Sequence, residues 1–550
     1  MALRSCLWLL GAAILTGLTG CQAATAAENR EEHLMVPMRD GVRLSAFAYF
    51  PEGNGPWPVL LEQRYANANV PSVREQFSRL AQHGYVVVLA NFRGSQQSEG
   101  VWQGYRALGW GALQDGYDLV EWLAAQPWST GKVGTFGSSQ AGFAQNFLAV
   151  TQPPHLVAQY MIDTGLSLFH EGYRIGGITR PQRFLELAKV CRVPEQNRAL
   201  MEEWFRHPTY DAYWADEDCT RFFDRMNVPC FTVGSWFDFM CVGSIDSYIG
   251  RQHRGGENSC GRQQLLIGPW LHGRFKETNR TGELVFPESA KFAMENHMLR
   301  WFDHYLKGLD NGVAREPTVR YYVMGAIDET DAPGNVWRTA EDWPVAAQAT
   351  PYYFDSSGEL QPSSPLSDTA VVTFRADPQH PNQIPGTAFP GARDARPFEQ
   401  QPDVRTFTTP PLARPVEWTG KMTAEIWLSS DCPDTDVIVR VSDVYPDSRS
   451  ILLMDAVRRV RYRDGFEREL LLTPGEVALV RFDIGWVSQI FNRGHQIRVT
   501  VASTGAPFFE PNPNTGLPLT IDAPPSTRVA TNTLHVNRRH ASRVIAPVRP

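Results

Sequence analysis

The chain has 550 residues, a formal net charge of −7 at pH 7, 43% hydrophobic residues and 20% charged residues. This length predicts two or three domains with ample core, and the composition excludes a disordered or fibrous protein. The negative net charge offers no basic field to a polyanion, which argues against nucleic-acid binding.

The N-terminus has the order of a secretory signal: Arg4 precedes an apolar run over 7–18, which is too short to span a bilayer. The run ends in Leu18-Thr19-Gly20-Cys21, which resembles the bacterial lipobox, where cleavage before the cysteine is followed by its lipidation. We therefore expect residues 1–27 to be a signal region and Cys21 to anchor an exported, periplasmic or membrane-attached protein. Ordinary cleavage within the small residues 23–27 is the alternative and predicts a soluble periplasmic or secreted protein.

Beyond the signal region and Cys21, six cysteines remain, five of them between residues 191 and 260. Export permits disulfides, so a local bridge in that stretch is expected, with no pairing readable from the spacing. No CxxC pair or Cys/His cluster indicates a metal site, and we expect no cofactor. The six are Cys191, Cys219, Cys230, Cys241, Cys260 and Cys432.

In chain order, residues 34–50 alternate like a β-hairpin. Strands and helices are then expected to alternate through residue 150, which is typical of a parallel sheet. A helical insertion without strands is expected over 155–225, followed by a resumption of buried strands. The expected strands are 58–62, 85–91, 132–136, 228–233 and 264–267, and the expected helices are 72–83, 115–125, 141–150 and 289–306.

From about residue 350, helical periodicity gives way to short alternating strands, which predicts an antiparallel β-sandwich. Its expected strands are 437–443, 458–463, 476–482 and 495–501, and the proline-rich stretch 362–415 is expected to loop over a surface. The predicted domains are an α/β domain over 28–154 and 226–345, a helical cap over 155–225 and a β-sandwich over 346–550.

A glycine- and serine-rich turn lies between the strand at 132–136 and the helix at 141–150, with the sequence Gly137-Ser138-Ser139-Gln140-Ala141-Gly142. A nucleophile elbow needs small neighbours, because its serine occupies a strained turn that presents the hydroxyl. Ser139 has glycine two positions before it and alanine two positions after it. We predict that Ser139 is a nucleophile; a loop without function is the alternative for this hexapeptide alone.

A serine nucleophile needs a histidine to take its proton and a carboxylate to orient that histidine. In α/β-hydrolases they follow the serine in the order acid, histidine. Asp238 and His272 each come just past an expected strand, where the loops of a parallel sheet assemble sites. We predict a triad of Ser139, Asp238 and His272; taken alone, the aspartate could cap a helix and the histidine could pack locally.

Longer segments around these residues carry further motifs, at 115–118, 126–129, 137–142, 236–238, 268–272, 301–308, 443–447, 494–499 and 512–516. With these motifs the chain resembles the CocE/NonD hydrolase family, from about residue 34 to the C-terminus. The resemblance implies an α/β-hydrolase domain with a helical cap insertion, followed by a C-terminal all-β jelly-roll sandwich.

The resemblance also assigns roles. It implies Ser139 as nucleophile, His272 as general base and Asp238 as its acid, with an oxyanion hole formed by the backbone N–H of Gln140 and the hydroxyl of Tyr65. Relatives usually have proline before that tyrosine, whereas this chain has arginine. A packing tyrosine is the alternative.

Amino-ester hydrolases of the family carry acidic residues just after the triad aspartate, but here Phe239 and Met240 follow it. Trp236, Phe237, Phe239 and Trp270 are therefore expected to favour an apolar or aromatic uncharged acyl group, unless they belong to the core.

The expected function is hydrolysis of a small-molecule ester or amide through an acyl-serine, without metal or cofactor. One alternative is an X-Pro dipeptidyl-peptidase, which recognises a free peptide N-terminus. From another class, the alternative is a catalytically inactive, lipid-anchored binding module.

Overall fold

A computed structural model describes residues 30–180, 184–273, 276–386, 392–522 and 526–550. The expected signal region and Cys21 lie outside the described residues, so export and lipidation stay predictions. Among the helices of the described part, none has the length and apolar character needed to cross a membrane.

A ten-stranded sheet forms the first domain. Its strands in chain order are β1 (Glu31–Pro37), β2 (Arg43–Tyr49), β3 (Trp57–Arg64), β4 (Val86–Asn91), β5 (Ser129–Ser138), β6 (Leu156–Ile162), β7 (Cys230–Ser235), β8 (Gln264–Gly268), β9 (Val319–Val323) and β10 (Val336–Ala340). The spatial order is β1-β2-β4-β3-β5-β6-β7-β8-β9-β10. Strands β3 to β9 are parallel to one another, while β1, β2 and β10 pair antiparallel with their neighbours. A sheet of this kind is buried on both faces, which explains its apolar runs.

Helices cover both faces of this sheet. The α-helices described before residue 310 are α1 (Pro71–Ala81), α2 (Asp115–Ala124), α3 (Gln140–Val150), α4 (Pro194–Arg206), α5 (Ala212–Ala215), α6 (Cys241–Arg254) and α7 (Met294–Lys307), of which α4 and α5 belong to the cap. Helices α1 and α7 share one apolar cluster with the sheet, and α2 and α3 contribute to the cluster on the other face. Helix α7 ends where Gly308 adopts a left-handed conformation with φ of 75°, as the Lys-Gly pair in the sequence favours.

The expectation of a strand-free helical cap over 155–225 is wrong in two places. Residues 156–162 form β6, which pairs with β5 and β7 in the main sheet. Gln159 interrupts the apolar pattern of this strand in the sequence. Its buried side chain is tolerated there because it donates to Thr135 Oγ1 at 3.0 Å and to the Gln145 carbonyl at 2.9 Å. Beyond β6, a short hairpin pairs Arg174–Ile175 with Ile178–Thr179. Helical turns and α4 and α5 form most of the remaining cap.

The C-terminal region forms two antiparallel sheets. The strands are β11 (Gln348–Phe354), β12 (Leu360–Gln361), β13 (Val371–Ala376), β14 (Arg405–Thr408), β15 (Val416–Ser430), β16 (Asp436–Val444), β17 (Ser450–Arg459), β18 (Ala478–Phe491), β19 (Gln496–Ala502), β20 (Ala530–His535) and β21 (Arg543–Val548). One sheet has the order β12-β11-β21-β15-β20-β13 with β18 beside β15, and the other has the order β14-β19-β16-β17. Trp418 and Val439, one from each sheet, share a single core. The structure thus confirms an α/β-hydrolase domain followed by a β domain.

Two smaller expectations for this region are corrected. Residues 362–415 are more than a surface loop, because they contain β13, β14 and the short helix α8 (Arg396–Glu399). Phe398 and Phe407 in this stretch are buried, so it contributes to the core. Residues 458–463 are the end of β17 and a 3-10 turn rather than a separate strand.

The cysteines also differ from expectation. The six described cysteines are free thiols, and all except the exposed Cys260 are buried. Cys230 lies in β7 and Cys241 begins α6, and both side chains are buried. The expected local disulfide is therefore wrong, and the five buried thiols act as small buried side chains.

Candidate active site

Ser139 occupies the turn between β5 and α3, with φ of 58° and ψ of −114°. Its backbone N–H donates to the carbonyls of Ile162 and Asp163 at the end of β6, at 3.0 and 3.2 Å. A Cβ added to Gly137 would lie 2.6 Å from the Ala141 Cβ, and one on Gly142 would lie 2.8 Å from a side-chain carbon of Thr164. The glycines therefore let the chain enter a strained turn that non-glycine residues rarely adopt.

Asp238 and His272 lie on the loops after β7 and β8. The Nδ1 atom of His272 lies 2.9 Å from Oδ1 of Asp238. The Asp238 side chain is fully buried, while the His272 side chain keeps 11% exposure. A buried carboxylate at this distance fixes the orientation of the imidazole and stabilises its protonated form.

The sheet order explains how these residues meet. Strands β5, β6, β7 and β8 are adjacent and parallel, so their carboxyl ends lie at one edge of the sheet. Ser139, Asp238 and His272 follow β5, β7 and β8 respectively. The structure thus places the three residues at the sheet edge where open α/β folds assemble their sites.

Gln140 connects the elbow to Tyr65. Its side-chain oxygen accepts the backbone N–H groups of Tyr65 and Ala66 at 2.9 and 3.0 Å. The Tyr65 ring packs edge-on against Phe92 and Trp102, at centroid distances of 5.7 and 6.0 Å. As the first residue of α3, Gln140 presents a backbone N–H with no partner inside the helix. The Gln140 side chain therefore ties the backbone of Tyr65 and Ala66 to the first residue after Ser139.

A cavity of about 410 Å³ reaches the site from the cap and the β domain. Asp238 and Phe239 line it on the hydrolase side. The ring of Phe239 lies between the site and the cap, 4.9 Å from the His272 ring and 5.4 Å from the Arg180 guanidinium. Apolar residues that line the cavity include Ile175, Trp236, Phe237, Val242, Met454, Phe466, Phe482, Ile484, Phe508 and Phe509.

Of the four aromatic residues expected to shape the pocket, Trp236, Phe237 and Phe239 line this cavity. Trp270 instead packs in the core, where its indole N–H donates to the Ala290 carbonyl at 3.1 Å and its ring lies 5.8 Å from that of Trp337. Trp270 is 1% exposed. The structure therefore gives Trp270 a packing position and leaves the other three beside the cavity.

The cavity also carries charged groups. Glu171 is buried and accepts the Leu166 N–H at 2.7 Å, and burial raises its pKa to about 8, which leaves it largely protonated at pH 7. Burial likewise raises the pKa of Asp246 and lowers the pKa of Arg458 to about 10. These polar groups were not expected from the sequence, because they come from three separate regions that only the fold brings together.

Two further residues lie beside the triad and were missed by sequence reasoning. Asp163, directly after β6, is buried, and ligand atoms of Asp163, Asp238 and His272 lie within 4.8 Å of one another. By distance this group could hold a metal ion, but the buried Lys276 ammonium already lies 2.7 Å from the Asp163 carboxylate. Recognition of β6 would have revealed Asp163, because it follows that strand as Asp238 follows β7.

Comparison with protein families gives two matches. Residues 40–193 and 190–274 match the family model of X-Pro dipeptidyl-peptidases of the S15 family. Residues 311–545 match the model of the X-Pro dipeptidyl-peptidase C-terminal non-catalytic domain. The first model thus covers most of the hydrolase domain with its cap, and the second covers the β domain together with β9 and β10 of the ten-stranded sheet.

Individual proteins of similar sequence or fold are hydrolases as well. Cocaine esterase from a Rhodococcus species is 29% identical to this chain, over 94% of this chain and 98% of the esterase. An aminopeptidase from a Thaumarchaeota archaeon has a similar fold, with a TM-score of 0.83, 24% identity and coverage of 95% of this chain and 96% of its own. An α-amino acid ester hydrolase has a TM-score of 0.82, 24% identity and coverage of 97% and 100%.

Proposed function

Because the chain belongs to the CocE/NonD family of serine hydrolases, we propose that Ser139, His272 and Asp238 cleave esters or amides with an apolar or aromatic, uncharged acyl group. The observation that carries this proposal is the 2.9 Å contact between His272 Nδ1 and Asp238 Oδ1, at the same sheet edge as the strained Ser139 turn.

The chemistry proceeds by acyl transfer to the enzyme and then to water. His272 takes the hydroxyl proton of Ser139 as the oxygen attacks the substrate carbonyl, and the Asp238 carboxylate balances the charge of the imidazolium. The tetrahedral intermediate collapses, the C–O or C–N bond breaks, and the leaving group takes the proton from His272. Water, deprotonated by His272, then attacks the acyl-serine, and the proton returns to Ser139 as the acid is released.

The negative oxygen of each tetrahedral intermediate needs hydrogen-bond donors. We assign the backbone N–H of Gln140 and the hydroxyl of Tyr65 to this role. Support comes from the hydrogen bonds between the Gln140 side chain and the backbone of Tyr65 and Ala66, which fix the tyrosine loop against the serine turn.

Selection of the acyl group is assigned to the cavity beside Phe239. Its apolar lining favours burial of an apolar group. Residues 239 and 240, directly after the triad aspartate, carry no charge, and Glu171 is largely neutral at pH 7. The Arg180 guanidinium, which also lines the cavity, lies 5.4 Å from the Phe239 ring. The support for an uncharged acyl chain therefore comes from the apolar lining and not from an absence of charged groups.

Turnover of p-nitrophenyl acetate, butyrate, benzoate and hemisuccinate tests this selection. The proposal predicts higher kcat/KM for butyrate and benzoate than for hemisuccinate, and a roughly tenfold loss of the benzoate-to-acetate ratio in Phe239→Ala. Phe407→Ala is the matched control, since Phe407 is a buried phenylalanine stacked on Phe354 in the β domain. A preference for hemisuccinate in the wild type would contradict the proposal.

The second candidate function is X-Pro dipeptidyl-peptidase activity, which the two family models favour. Gly-Pro-p-nitroanilide separates the two candidates, because it presents a free N-terminal ammonium and a proline acyl group. Turnover of this amide with kcat/KM above that of the butyrate ester would favour the peptidase, and turnover of the esters alone would favour the esterase.

We also propose that the chain is exported and lipidated on Cys21, on the strength of the lipobox-like sequence alone. Metabolic labelling with radioactive palmitate tests this proposal in wild type and Cys21→Ala. Label on the wild type alone is expected, and an unlabelled wild type contradicts the proposed lipidation.

For the β domain we propose a jelly-roll arrangement, which its two antiparallel sheets support.

A further inference from the structure

A second carboxylate lies beneath the His272–Asp238 pair. Asp163 is the first residue past β6 and adopts a left-handed φ of 47°, which is uncommon for a residue with a side chain. Its side chain is fully buried. Two carboxylates beside one imidazole would repel each other and compete for the same ring N–H. A partner that binds the Asp163 carboxylate would keep it from interacting with His272.

Lys276 is that partner of Asp163. Its ammonium is fully buried and donates three hydrogen bonds, to Asp163 Oδ2 at 2.7 Å, to Ser235 Oγ at 2.7 Å and to the Leu271 carbonyl at 2.9 Å. These bonds use all three donors of the ammonium. Burial raises the pKa of the Asp163 carboxyl, and the charge of Lys276 opposes that change.

The acceptors of Asp163 are equally occupied. Its Oδ1 accepts the Ser235 hydroxyl at 2.8 Å, and its Oδ2 accepts the backbone N–H of Gly273 at 2.8 Å in addition to Lys276. Gly273 follows His272 in the chain, and Leu271 precedes it. The Asp163–Lys276 pair therefore holds the backbone on both sides of the histidine while the imidazole bonds to Asp238.

We propose that Asp163 and Lys276 are positioning residues for His272. The pair fixes the loop of the histidine on both flanks. Because the charges of Asp163 and Lys276 cancel, the imidazole experiences a net charge from only one member of this buried cluster, Asp238. This inference rests on the proposed serine hydrolase function. Neither residue touches the reacting atoms; each acts through the backbone and the electrostatic field around His272.

Further ionisable groups near the imidazole, within the part of the chain that the structure describes, come from other elements. Asp238 lies on the loop after β7, and the Cys241 thiol at the start of α6 is close enough for Asp238 and Asp163 to raise its pKa further than burial does alone. Arg180 approaches from the cap across the Phe239 ring. These groups are the same in all variants below.

The pH profile of kcat/KM for p-nitrophenyl butyrate tests the proposal with Lys276→Met, Asp163→Asn and the double variant. Lys276→Met leaves an uncompensated carboxylate that favours the imidazolium, so the acid limb moves to higher pH by about one unit. Asp163→Asn leaves an uncompensated ammonium, so the limb moves to lower pH. The double variant removes both charges and restores the limb. The looser loop lowers kcat roughly tenfold or more in each single variant with little change in KM.

Arg459→Met is the matched control, because Arg459 is a buried cation paired with Asp436 in the β domain. It is expected to lower stability and leave the acid limb in place. Near-ultraviolet circular dichroism establishes that each variant is folded, and Asp163→Asn alone still decides the sign of the shift if Lys276→Met does not fold. Folded single variants with wild-type acid limbs overturn the proposal. A wild type that hydrolyses no ester or amide overturns the proposed function instead.

Discussion

The Nδ1 atom of His272 lies 2.9 Å from Oδ1 of Asp238, across 34 positions of sequence and two neighbouring strand ends. Asparagine at position 238 retains the size of the side chain but cannot balance an imidazolium. We expect Asp238→Asn to lower kcat by about 10³ to 10⁴-fold with little effect on thermal stability. Asp342→Asn is the control, since that carboxylate also lies beside a histidine, His253 at 3.1 Å, but outside the site. Equal kcat in the two variants would contradict the assigned role.

The strained turn at Ser139 depends on Gly137, which has φ of 133° and leaves no room for a Cβ. Gly137→Ala would force a carbon to 2.6 Å from the Ala141 Cβ, so we expect a loss of about 3 kcal/mol in the free energy of unfolding, together with most of the activity. Gly111→Ala is the matched control, because Gly111 also has positive φ but no atom within 4 Å of the added carbon. Urea denaturation should show a loss of only about 1 kcal/mol there. Similar losses at both positions would exclude the steric explanation.

A pH-dependent contact joins the hydrolase and β domains. His495 is buried, with ring nitrogens 2.7 Å from Asp443 and 2.8 Å from Glu329. Burial alone lowers the pKa of His495, but the hydrogen bonds and charges of Asp443 and Glu329 outweigh it and raise the pKa. Burial raises the pKa of Asp443 as well. Both groups therefore bind protons more readily in the folded protein than in the unfolded chain.

The direction in which stability changes with pH follows from the raised pKa of His495. The contribution of His495 to stability is complete below about pH 6.5, its unfolded pKa, and is lost as the pH rises through the higher folded pKa. We expect the difference in free energy of unfolding between wild type and His495→Gln to shrink between pH 6 and pH 9. Chemical denaturation across that range measures it, and a difference that grows with pH would contradict the assignment.

The described cysteines differ in access to solvent. Burial raises the pKa of Cys219 and Cys241 well above its ordinary value, whereas Cys260 is exposed. We expect a thiol-specific reagent to modify Cys260 rapidly in the native protein and the other five described cysteines only after denaturation. Mass spectrometry of peptides identifies the modified residues. Rapid native modification of Cys219 or Cys241 would contradict the packing described for them.

Each residue of the predicted triad carries a local signal in the sequence: a serine between small residues, and an acid and a histidine after apolar strands. The structure brings the three to one sheet edge, with His272 in contact with Asp238. Strand β6 was missed because Gln159 interrupts its apolar pattern, and its polar side chain is satisfied only by residues of β5 and α3. Missing β6 concealed Asp163 as well.

Other parts of the site have no local signal. Lys276 looks like an ordinary surface lysine in the sequence, and only the fold places it against Asp163 and Ser235. The cavity likewise joins the cap, the loop after β7 and the β domain, which are more than 200 residues apart at their extremes, between Ser167 and Phe509. Trp270 follows a strand end in the sequence as the cavity-lining aromatic residues do, yet its side chain is packed in the hydrophobic core.

Labelling of the purified protein with a fluorophosphonate probe, in wild type and Ser139→Ala, tests the central claim most directly. The reagent reacts with a serine only when a neighbouring base activates it. We predict stoichiometric labelling of the wild type, located to Ser139 by peptide mass, and none of Ser139→Ala. A folded wild type that does not react, or a Ser139→Ala variant that reacts equally, would contradict the assignment of Ser139 as the nucleophile.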